Sequence, residues 1–193
     1  MMARRMFLLG FAAALLTALG CSSSGGDGGT PSPAIVCTNG DAASPGALTL
    51  VCGGATSSTT EQVNVVMGGP ALGTTTLRGI NFDVTFDPLK LQFEALTPSD
   101  PSDPNALFPP TAIPLAQLSD TPGRVVVTIQ QVGGDPDRVV PAGQYNAFSL
   151  SFKRVAGATF GPTPLAFEHA EYTRPQPLTP ISFPIVNGPT LSY

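Results

Sequence analysis

The sequence predicts an all-β domain, a two-sheet, jelly-roll-like β-sandwich of about nine strands, over residues 34–193. Three observations carry this prediction. Apolar and polar residues alternate in several short runs, as they do in strands that bury one face. After residue 20, no stretch of ten or more residues shows the 3.6-residue apolar repeat of an amphipathic helix. The chain also contains 21 prolines, and proline interrupts helices.

The N-terminus has the composition of a secretory signal peptide. Arg4 and Arg5 precede an apolar run of fourteen residues from Met6 to Leu19. This run is shorter than the roughly 20 residues that a helix needs to span a bilayer. A basic start followed by a short apolar run is typical of export signals, so we assign residues 1–20 to a signal peptide.

The signal ends in Ala18-Leu19-Gly20-Cys21, which resembles the lipobox of bacterial lipoproteins. In that motif the cysteine is lipidated and becomes the new N-terminus, so the resemblance implies a lipid on Cys21. The stretch that follows (SSSGGDGGTPSP) offers nothing to bury, and we expect residues 21–33 to form a lipidated, flexible tether. Because Ser22 follows the cysteine, an outer-membrane lipoprotein of the bacterial cell envelope is favoured. An ordinary cleaved signal is the alternative.

Nine candidate strands follow the tether, separated by clusters of glycine, proline and other turn residues. In the fifth of them, Val125, Val127 and Ile129 occupy one side, which predicts a sheet with one buried face. The candidates are Ala47–Cys52, Gln62–Met67, Thr76–Asp87, Leu89–Leu96, Arg124–Gln131, Tyr145–Arg154, Leu165–Phe167, Ile181–Val186 and Pro189–Tyr193.

Asp87-Pro88 separates two of these strands within the stretch GINFDVTFDPLKLQF, residues 79–93. Proline has no N–H and cannot continue a central ladder, and the residue before it is pushed toward extended geometry. The dipeptide should therefore redirect an extended chain without a wide loop. The two strands therefore need not pair with each other and can belong to different sheets, and Leu89, Leu91 and Phe93 share one face of the second.

Thr97–Pro122 is a long segment without a strand-like pattern, rich in proline and polar residues. Loops of this length are uncommon, and they are usually functional or packed across a sheet. We therefore predict a loop here. Its apolar residues, which could anchor it, are Leu107, Phe108, Ile113, Leu115 and Leu118.

The chain has three cysteines, and lipidation would use Cys21. Cys37 and Cys52 are then an even pair in an exported chain, where disulfides persist. A bridge would close a loop of about 16 residues and restrict the unfolded chain by roughly 3 kcal/mol in the loop-entropy account. It would also hold Thr38–Gly46 against the first strand. A structural zinc site is disfavoured, because two cysteines and the distant His169 do not complete a tetrahedral set.

Charge excludes two classes of partner. Without residues 1–20 the chain carries seven basic and thirteen acidic side chains, a net charge of −6, and no basic cluster follows residue 20. Such a surface does not attract nucleic acid or an anionic lipid leaflet by charge. We therefore expect no nucleic-acid partner, and membrane association only through the lipid anchor.

The motifs of catalysis are weakly represented, and we predict that the protein is not an enzyme. A Ser-His-acid triad would have to use His169, the single histidine, and no Gly-x-Ser-x-Gly elbow supplies the serine. Glu94, Glu168 and Glu171 show no pattern that marks a pair of catalytic carboxylates.

No cofactor or metal is predicted. Asp100, Asp103, Asp135 and Asp137 lie in loops rich in proline and glycine, and carboxylates on loops suit Ca²⁺. Their spacing does not match an EF-hand, so we interpret them as solvated turn acids and leave calcium binding open.

The order of these motifs resembles that of the cohesin family, the β-sandwich modules that bind dockerins in cellulosomes. The resemblance covers roughly residues 45–193 as a pattern over many strands. It includes the family's strand with an aromatic-Asp-Pro step, its next strand, the strand after its glycine-containing turn, its penultimate region and its closing strand. The matching segments are Phe82–Pro88 with Leu91, Gly123–Val127, Phe148–Lys153, Pro164–Glu168 and Asn187–Leu191. The long Pro-rich loop and the region of Cys37 and Cys52 depart from the pattern of a compact dockerin-binding cohesin.

The resemblance implies a protein partner of dockerin type, docked on a sheet face that includes the strand before Asp-Pro. Gly79, Asn81 and Asp83 are the outward positions of that strand, although they are also what the solvated side of any amphipathic strand would show. The alternative is a carbohydrate- or polysaccharide-binding module of a secreted degradative system. Sugars stack on exposed aromatic rings, and in a chain without tryptophan Tyr145 and Tyr172 are the candidates.

Overall fold

A computed structural model of the chain describes residues 34–193, except 43, 70–74, 101, 135, 160, 174–179 and 185. The predicted signal peptide, tether and lipidation of Cys21 lie outside the described residues, as does Asp135. Every regular element in the described part of the chain is a β-strand. Within that part, no helix has the length and apolar character needed to cross a membrane.

The described strands form two large sheets and two small ones. In chain order they are β1 (Val36–Thr38), β2 (Leu48–Ala55), β3 (Thr60–Gly68), β4 (Thr75–Leu77), β5 (Gly79–Thr85), β6 (Leu91–Pro98), β7 (Ile113–Leu118), β8 (Arg124–Gln130), β9 (Arg138–Val140), β10 (Gln144–Arg154), β11 (Thr163–Pro164), β12 (Ala166–Thr173), β13 (Pro180–Ser182) and β14 (Thr190–Ser192). The four-stranded sheet has the order β2-β3-β10-β6 and the five-stranded sheet the order β13-β12-β5-β8-β7. The small sheets are β1-β14-β11 and β4-β9. The prediction of a two-sheet β-sandwich is confirmed.

The core lies between the two large sheets because their strands direct alternate apolar side chains inward. On β8, Val125, Val127 and Ile129 are buried, as the alternation predicted. Phe82 on β5 stacks on Phe148 of β10, with ring centroids 5.4 Å apart, and so joins the two sheets. Both strand pairs around these rings are antiparallel, the arrangement that buries one face of each sheet.

Asp87-Pro88 is the corner between the sheets, because β5 and β6 belong to different sheets, which the sequence allowed. The backbone N–H groups of Lys90 and Leu91 donate to the Asp87 carbonyl over 3.1 and 2.9 Å, which closes a tight turn. The prediction was wrong at Leu89, which lies in this turn and is 79% exposed. The following strand begins at Leu91, because the turn uses the residues between it and the proline.

The prediction that Thr97–Pro122 is a loop was wrong in its second half, where β7 pairs with β8. β7 is the edge strand of the five-stranded sheet, and Pro114 lies within it opposite Ile129. An edge strand tolerates proline because part of its backbone needs no ladder partner. The proline therefore concealed a strand that the alternation of Ile113 and Leu115 with smaller residues would otherwise have indicated.

The disulfide between Cys37 and Cys52 is present, with the two Cα atoms 5.8 Å apart, and this prediction is confirmed. The bridge connects β1 of a small sheet to β2 of the four-stranded sheet. The segment between them is held as expected: the Asn39 side-chain oxygen accepts a 2.6 Å hydrogen bond from the Cys52 N–H, and the Gly46 N–H donates to the Gly68 carbonyl over 2.8 Å.

Candidate partner-binding face

The outer side of the five-stranded sheet carries the side chains that alternate with the core residues, and we call it the β7–β12 face. Opposite residues of an antiparallel pair lie on the same side of the sheet, so the register identifies its members. They are Ile113, Leu115 and Gln117 on β7, Arg124, Val126, Thr128 and Gln130 on β8, Gly79, Asn81, Asp83 and Thr85 on β5, and His169, Glu171 and Thr173 on β12.

The three residues predicted to contact a partner, Gly79, Asn81 and Asp83, lie on the central strand of this face, but they differ in accessibility. Gly79 is buried, and a Cβ atom there would come within 2.7 Å of the Ile129 carbonyl oxygen. Asp83 is only 5% exposed. Asn81 is half-buried, and its side-chain oxygen accepts a 2.9 Å hydrogen bond from the Thr128 hydroxyl. Asn81 therefore presents the most surface, and a partner-binding role for the three stays a prediction.

A compact ion cluster lies on the β7–β12 face where β8 begins and β5 ends. The Arg124 guanidinium contacts the Asp83 carboxylate, and its other terminal nitrogen lies 3.1 Å from Glu168 Oε2. Glu168 reaches the arginine because a β-bulge between Phe167 and His169 displaces it from the regular register. The hydrogen bond that Arg124 donates to Asp83 is the main cause of the raised pKa of Arg124. One cation thus serves two carboxylates, so the cluster carries one negative charge in excess.

One flank of the β7–β12 face is charged. His169 Nε2 lies 3.4 Å from Glu171 Oε2, and the histidine side chain is about half exposed. This is the arrangement expected of a surface histidine beside acids. Protonation of the imidazole would turn the contact into an ion pair.

The other flank is apolar, and sequence reasoning did not assign it to a site. Ile113 and Leu115 are 62% and 61% exposed, and with Thr128 and Gln130 they line a shallow cavity of about 250 Å³. The sequence interpretation named both only as anchors of a loop. Recognising the Ile-Pro-Leu-Ala alternation as an edge strand would have placed them on the outer face.

The two tyrosines considered for sugar stacking are partly engaged with other side chains. Tyr145 on β10 is half-buried, and the Arg138 guanidinium lies 6.0 Å from its ring centroid. Tyr172 on β12 is also half-buried, and its ring packs on Phe183 with centroids 4.7 Å apart. Each ring therefore has less free surface than a stacking platform needs, and sugar binding through them stays a prediction.

The described loop acids make contacts of two kinds. Asp100 accepts hydrogen bonds from the hydroxyl and N–H of Ser102 within its own turn, and these lower its pKa. Asp103 and Asp137 contact distant side chains: Asp103 accepts a 2.9 Å hydrogen bond from the Asn146 side chain, and Asp137 pairs with Arg78 at 2.9 Å. The interpretation of these acids as solvated turn residues stays a prediction.

Comparison with solved structures gives three similar proteins of one kind. The sixth cohesin of scaffoldin B from Acetivibrio cellulolyticus, solved with a Cel5 dockerin mutant, matches with a TM-score of 0.52 at 15% identity, over 74% of this chain and 96% of that one. A cohesin module of a family 33 glycoside hydrolase from Clostridium perfringens matches with a TM-score of 0.55 at 8% identity, over 75% and 94%. A type II cohesin from the Acetivibrio cellulolyticus cellulosome matches with a TM-score of 0.51 at 12% identity, over 77% and 95%.

The similarity lies in the fold and not in the sequence. No protein-family profile matches the chain, and no curated protein sequence matches it. Identities of 8 to 15% over nearly whole cohesin modules mean that the same strand arrangement is built from different side chains. The domain has the cohesin-like β-sandwich fold.

Proposed function

We propose that this domain is a non-catalytic protein-binding module that docks a partner of dockerin type on the β7–β12 face. The observation that carries the proposal is the exposure of Ile113 and Leu115 on that face. Exposed apolar side chains gathered beside polar ones are typical of protein-binding surfaces. Because both residues project from a sheet edge, a partner could cover them without displacing any part of the domain.

The ion cluster makes docking on this face less costly. Burial of an unpaired charge under a partner carries a large desolvation penalty, whereas Arg124 already contacts Asp83 and Glu168. Glu168, His169 and Glu171 are partly exposed on the β12 side, where charges guide a partner and add little affinity. An apolar patch beside partly exposed charges fits an interface with an apolar core and a polar rim.

The fold supports the same partner class. Two cohesins of similar fold were solved in complex with dockerins, one from Acetivibrio cellulolyticus and one, OlpA, from Clostridium thermocellum. Those dockerins are partners of those proteins. For this chain they serve as reference probes, because identities of 15% and 12% leave the contacting side chains different.

The test is capture of partners from the native cell envelope by the mature chain carrying Cys21→Ser, with and without Leu115→Asp. A charge at the centre of an apolar contact should weaken capture by about 100-fold, the effect of a lost hot spot. Thr97→Asp is the matched control, because Thr97 is an exposed strand residue on the other large sheet. The purified Cel5 dockerin provides a defined probe beside the envelope extract.

Equal capture by the original chain and Leu115→Asp would contradict docking on this face. A glycan array tests the alternative function, which is carbohydrate binding. Saturable binding of a glycan, lost in Tyr145→Ala or Tyr172→Ala, would favour a carbohydrate-binding module instead.

We propose further that Cys21 anchors the domain to the bacterial outer membrane. The support is the lipobox-like sequence around Cys21 and the glycine- and serine-rich stretch after it. Labelled palmitate should enter the original chain and not the Cys21→Ser variant. An unlabelled original chain would contradict the anchor while leaving the binding proposal intact.

A further inference from the structure

The backbone of β7 pairs with β8 on one side and is open on the other, because β7 is the last strand of the five-stranded sheet. The Ser119 N–H donates to the Arg124 carbonyl over 3.0 Å, which marks these two residues as a hydrogen-bonded pair. Along an antiparallel ladder such pairs alternate with pairs that exchange no hydrogen bonds, and the register runs from this pair into both strands. Pro114, Ala116 and Leu118 therefore direct their backbone groups away from β8, and we call this row the β7 edge.

The β7 edge offers hydrogen bonds that no other part of the described chain takes up. Pro114 has no N–H, and at this position β8 loses no ladder bond through it. The N–H groups of Ala116 and Leu118 have no acceptor among the described residues. With the carbonyls of the same residues they form a short row of alternating donors and acceptors, which is the template that an added strand needs.

The other outer strands of the two large sheets are protected in ways that β7 is not. On β2 the Leu48 N–H donates to the Pro184 carbonyl over 3.4 Å, and the Cys52 N–H donates to the Asn39 side chain over 2.6 Å. β6 carries the charged Glu94, and β13 has only three residues and begins with a proline, which are common means of blocking a sheet edge. β7 is six residues long, and none of them is charged.

Exposed apolar side chains flank the β7 edge on both sides of the sheet. Ile113 and Leu115 are exposed on the outer side. Leu118 lies on the inner side, opposite the buried Val125, and is nevertheless 54% exposed. A strand added at this edge would cover apolar surface as well as backbone groups, and apolar burial is the main driving force of association.

A second copy of the chain fits this edge, because antiparallel pairing about a two-fold axis uses the same groups twice. With Ala116 of each copy opposite Leu118 of the other, every outward N–H of both copies donates to a carbonyl of the other copy, and no N–H is needed from Pro114. This pairing covers both β7 edges at once, whereas a peptide strand would leave its own second edge open. The uncharged strand also lets two acidic domains meet without burying a carboxylate.

We propose that two copies of the domain associate through antiparallel pairing of their β7 edges, so that their five-stranded sheets join into one continuous sheet. The two β7–β12 faces then lie side by side, with Ile113 and Leu115 of each copy near the join. Only one short strand of each copy takes part, which places the contact among small, weak interfaces, and we expect a Kd of about 100 μM. The association does not depend on the partner proposed for the β7–β12 face.

The test uses the isotope-labelled mature Cys21→Ser chain without any partner, so its result is separate from that of the capture experiment. Sedimentation velocity and amide NMR spectra are recorded from about 10 μM to about 1 mM, a range that brackets the expected Kd. A monomer–dimer equilibrium should appear, and the amide protons of Ala116 and Leu118 should shift and exchange more slowly as the dimer forms. A chain that stays monomeric, or a dimer that leaves these two amides unchanged, would overturn the proposal.

Two variants of the edge and one control complete the test. Ala116→Pro removes an outward N–H and keeps the ladder to β8, as Pro114 does, and it should weaken dimerisation about tenfold. Leu118→Asp brings like charges together at the contact and should weaken dimerisation about 100-fold. Val36→Asp is the matched control, because Val36 is 55% exposed on β1 of a small sheet, and it should leave dimerisation unchanged.

Undiminished dimerisation in both edge variants would overturn the pairing of the β7 edges. The amide spectrum reports whether each variant folds, and if one does not, the other decides.

Discussion

The two outer faces of the sandwich differ in how their charged side chains are paired and how far they are exposed. The outer side of the four-stranded sheet is lined by amides and hydroxyls, and Ser149 Oγ lies 2.7 Å from Asn64 Oδ1. Its ion pair, between Lys153 and Glu94 at 3.3 Å, is largely open to water. On the β7–β12 face, by contrast, Asp83 is buried beneath Arg124, and apolar side chains remain exposed at the edge.

This difference shows that alternation alone does not identify a binding face. Both large sheets have one buried and one outer side, and both contain strands with the same two-residue period. Only on the β7–β12 face do the described residues combine a buried charge pair with exposed Ile113 and Leu115. A solvated face gains nothing from exposed leucine, so the apolar edge indicates an interface.

The largest expected effect on stability comes from the disulfide, which is joined to the four-stranded sheet through Cys52. Replacing Cys37 and Cys52 by serine should lower the free energy of unfolding by about 3 kcal/mol, because the bridge restricts a loop of about 16 residues in the unfolded chain. Partner capture on the β7–β12 face should not change. Urea denaturation measures the loss, with Val36→Ala as control at an exposed neighbour. An unchanged unfolding midpoint in the double variant would refute a stabilising bridge.

The next prediction compares the contributions of the ion pairs on the two faces to stability. Arg124→Met keeps the apolar stem but leaves the buried Asp83 without its cation, and should destabilise the domain, although less than the loss of a fully buried pair would because Arg124 is partly exposed. Lys153→Met breaks the open pair with Glu94 and should cost below about 1 kcal/mol. The urea midpoints of the two variants measure the two losses of stability. Equal losses would mean that the burial of Asp83 has no energetic consequence.

The strand pattern could be predicted wherever alternation was regular. β3, β8 and β10 bury every second residue for most of their length, and the Asp87-Pro88 corner follows from the missing N–H of proline. The cysteine pair followed from counting the cysteines that would remain if Cys21 were lipidated. These features depend on local chemistry, which the sequence contains.

The strand β12 was predicted too short for a structural reason. Phe167 and Ala170 both point into the core, although three positions separate them, because the bulge at Glu168 adds a residue. A bulge shifts the alternation of buried and exposed residues by one position, and no residue type in this segment predicts it. The polar His169 and its acidic neighbours therefore looked like the end of a strand.

The candidate face could be predicted only in part. The outward direction of Asn81 and Asp83 followed from alternation on β5. The burial of Asp83 depends on Arg124, forty-one residues away, and that contact follows from the register between β5 and β8. The long-range register, which is not readable from either strand alone, decides which polar residue is free to meet a partner.

A smaller effect concerns a second buried acid, Glu61 on β3, which is the counterpart of Asp83 on the other sheet. Asp83 contacts a cation, whereas Glu61 accepts one 3.1 Å hydrogen bond from the Gly54 N–H. Burial raises the pKa of Glu61 above its ordinary 4.5, and the hydrogen bond opposes the rise. The folded state thus holds this proton more tightly than the unfolded state does. The resulting stability is fully present below pH 4.5 and is lost as pH rises through the raised pKa.

Glu61→Gln keeps an acceptor for Gly54 and removes the charge. It should therefore stabilise the domain at pH 7, and it should flatten the decline in stability that Glu61 causes as the pH rises above 4.5. Glu94→Gln, on the same sheet but more exposed, is the control. Unfolding free energies at several pH values provide the measurement. A less stable Glu61→Gln at pH 7 would contradict the burial penalty.

The smallest expected effect on stability is at the apolar edge of the β7–β12 face. Ile113 and Leu115 are more than three-fifths exposed, so replacing both by serine removes little buried surface and should change the unfolding free energy by about 0.5 kcal/mol or less. Leu191, fully buried on β14, is the contrasting position, where Leu191→Ala should cost about 2 kcal/mol or more because it leaves a cavity. Thermal melts and urea midpoints of the two variants give the comparison. If the edge variant keeps its stability but loses its partner, the two residues serve binding. A large loss of stability would instead mean that the edge is packed in solution, and the difference between the two outer faces would lose its functional meaning.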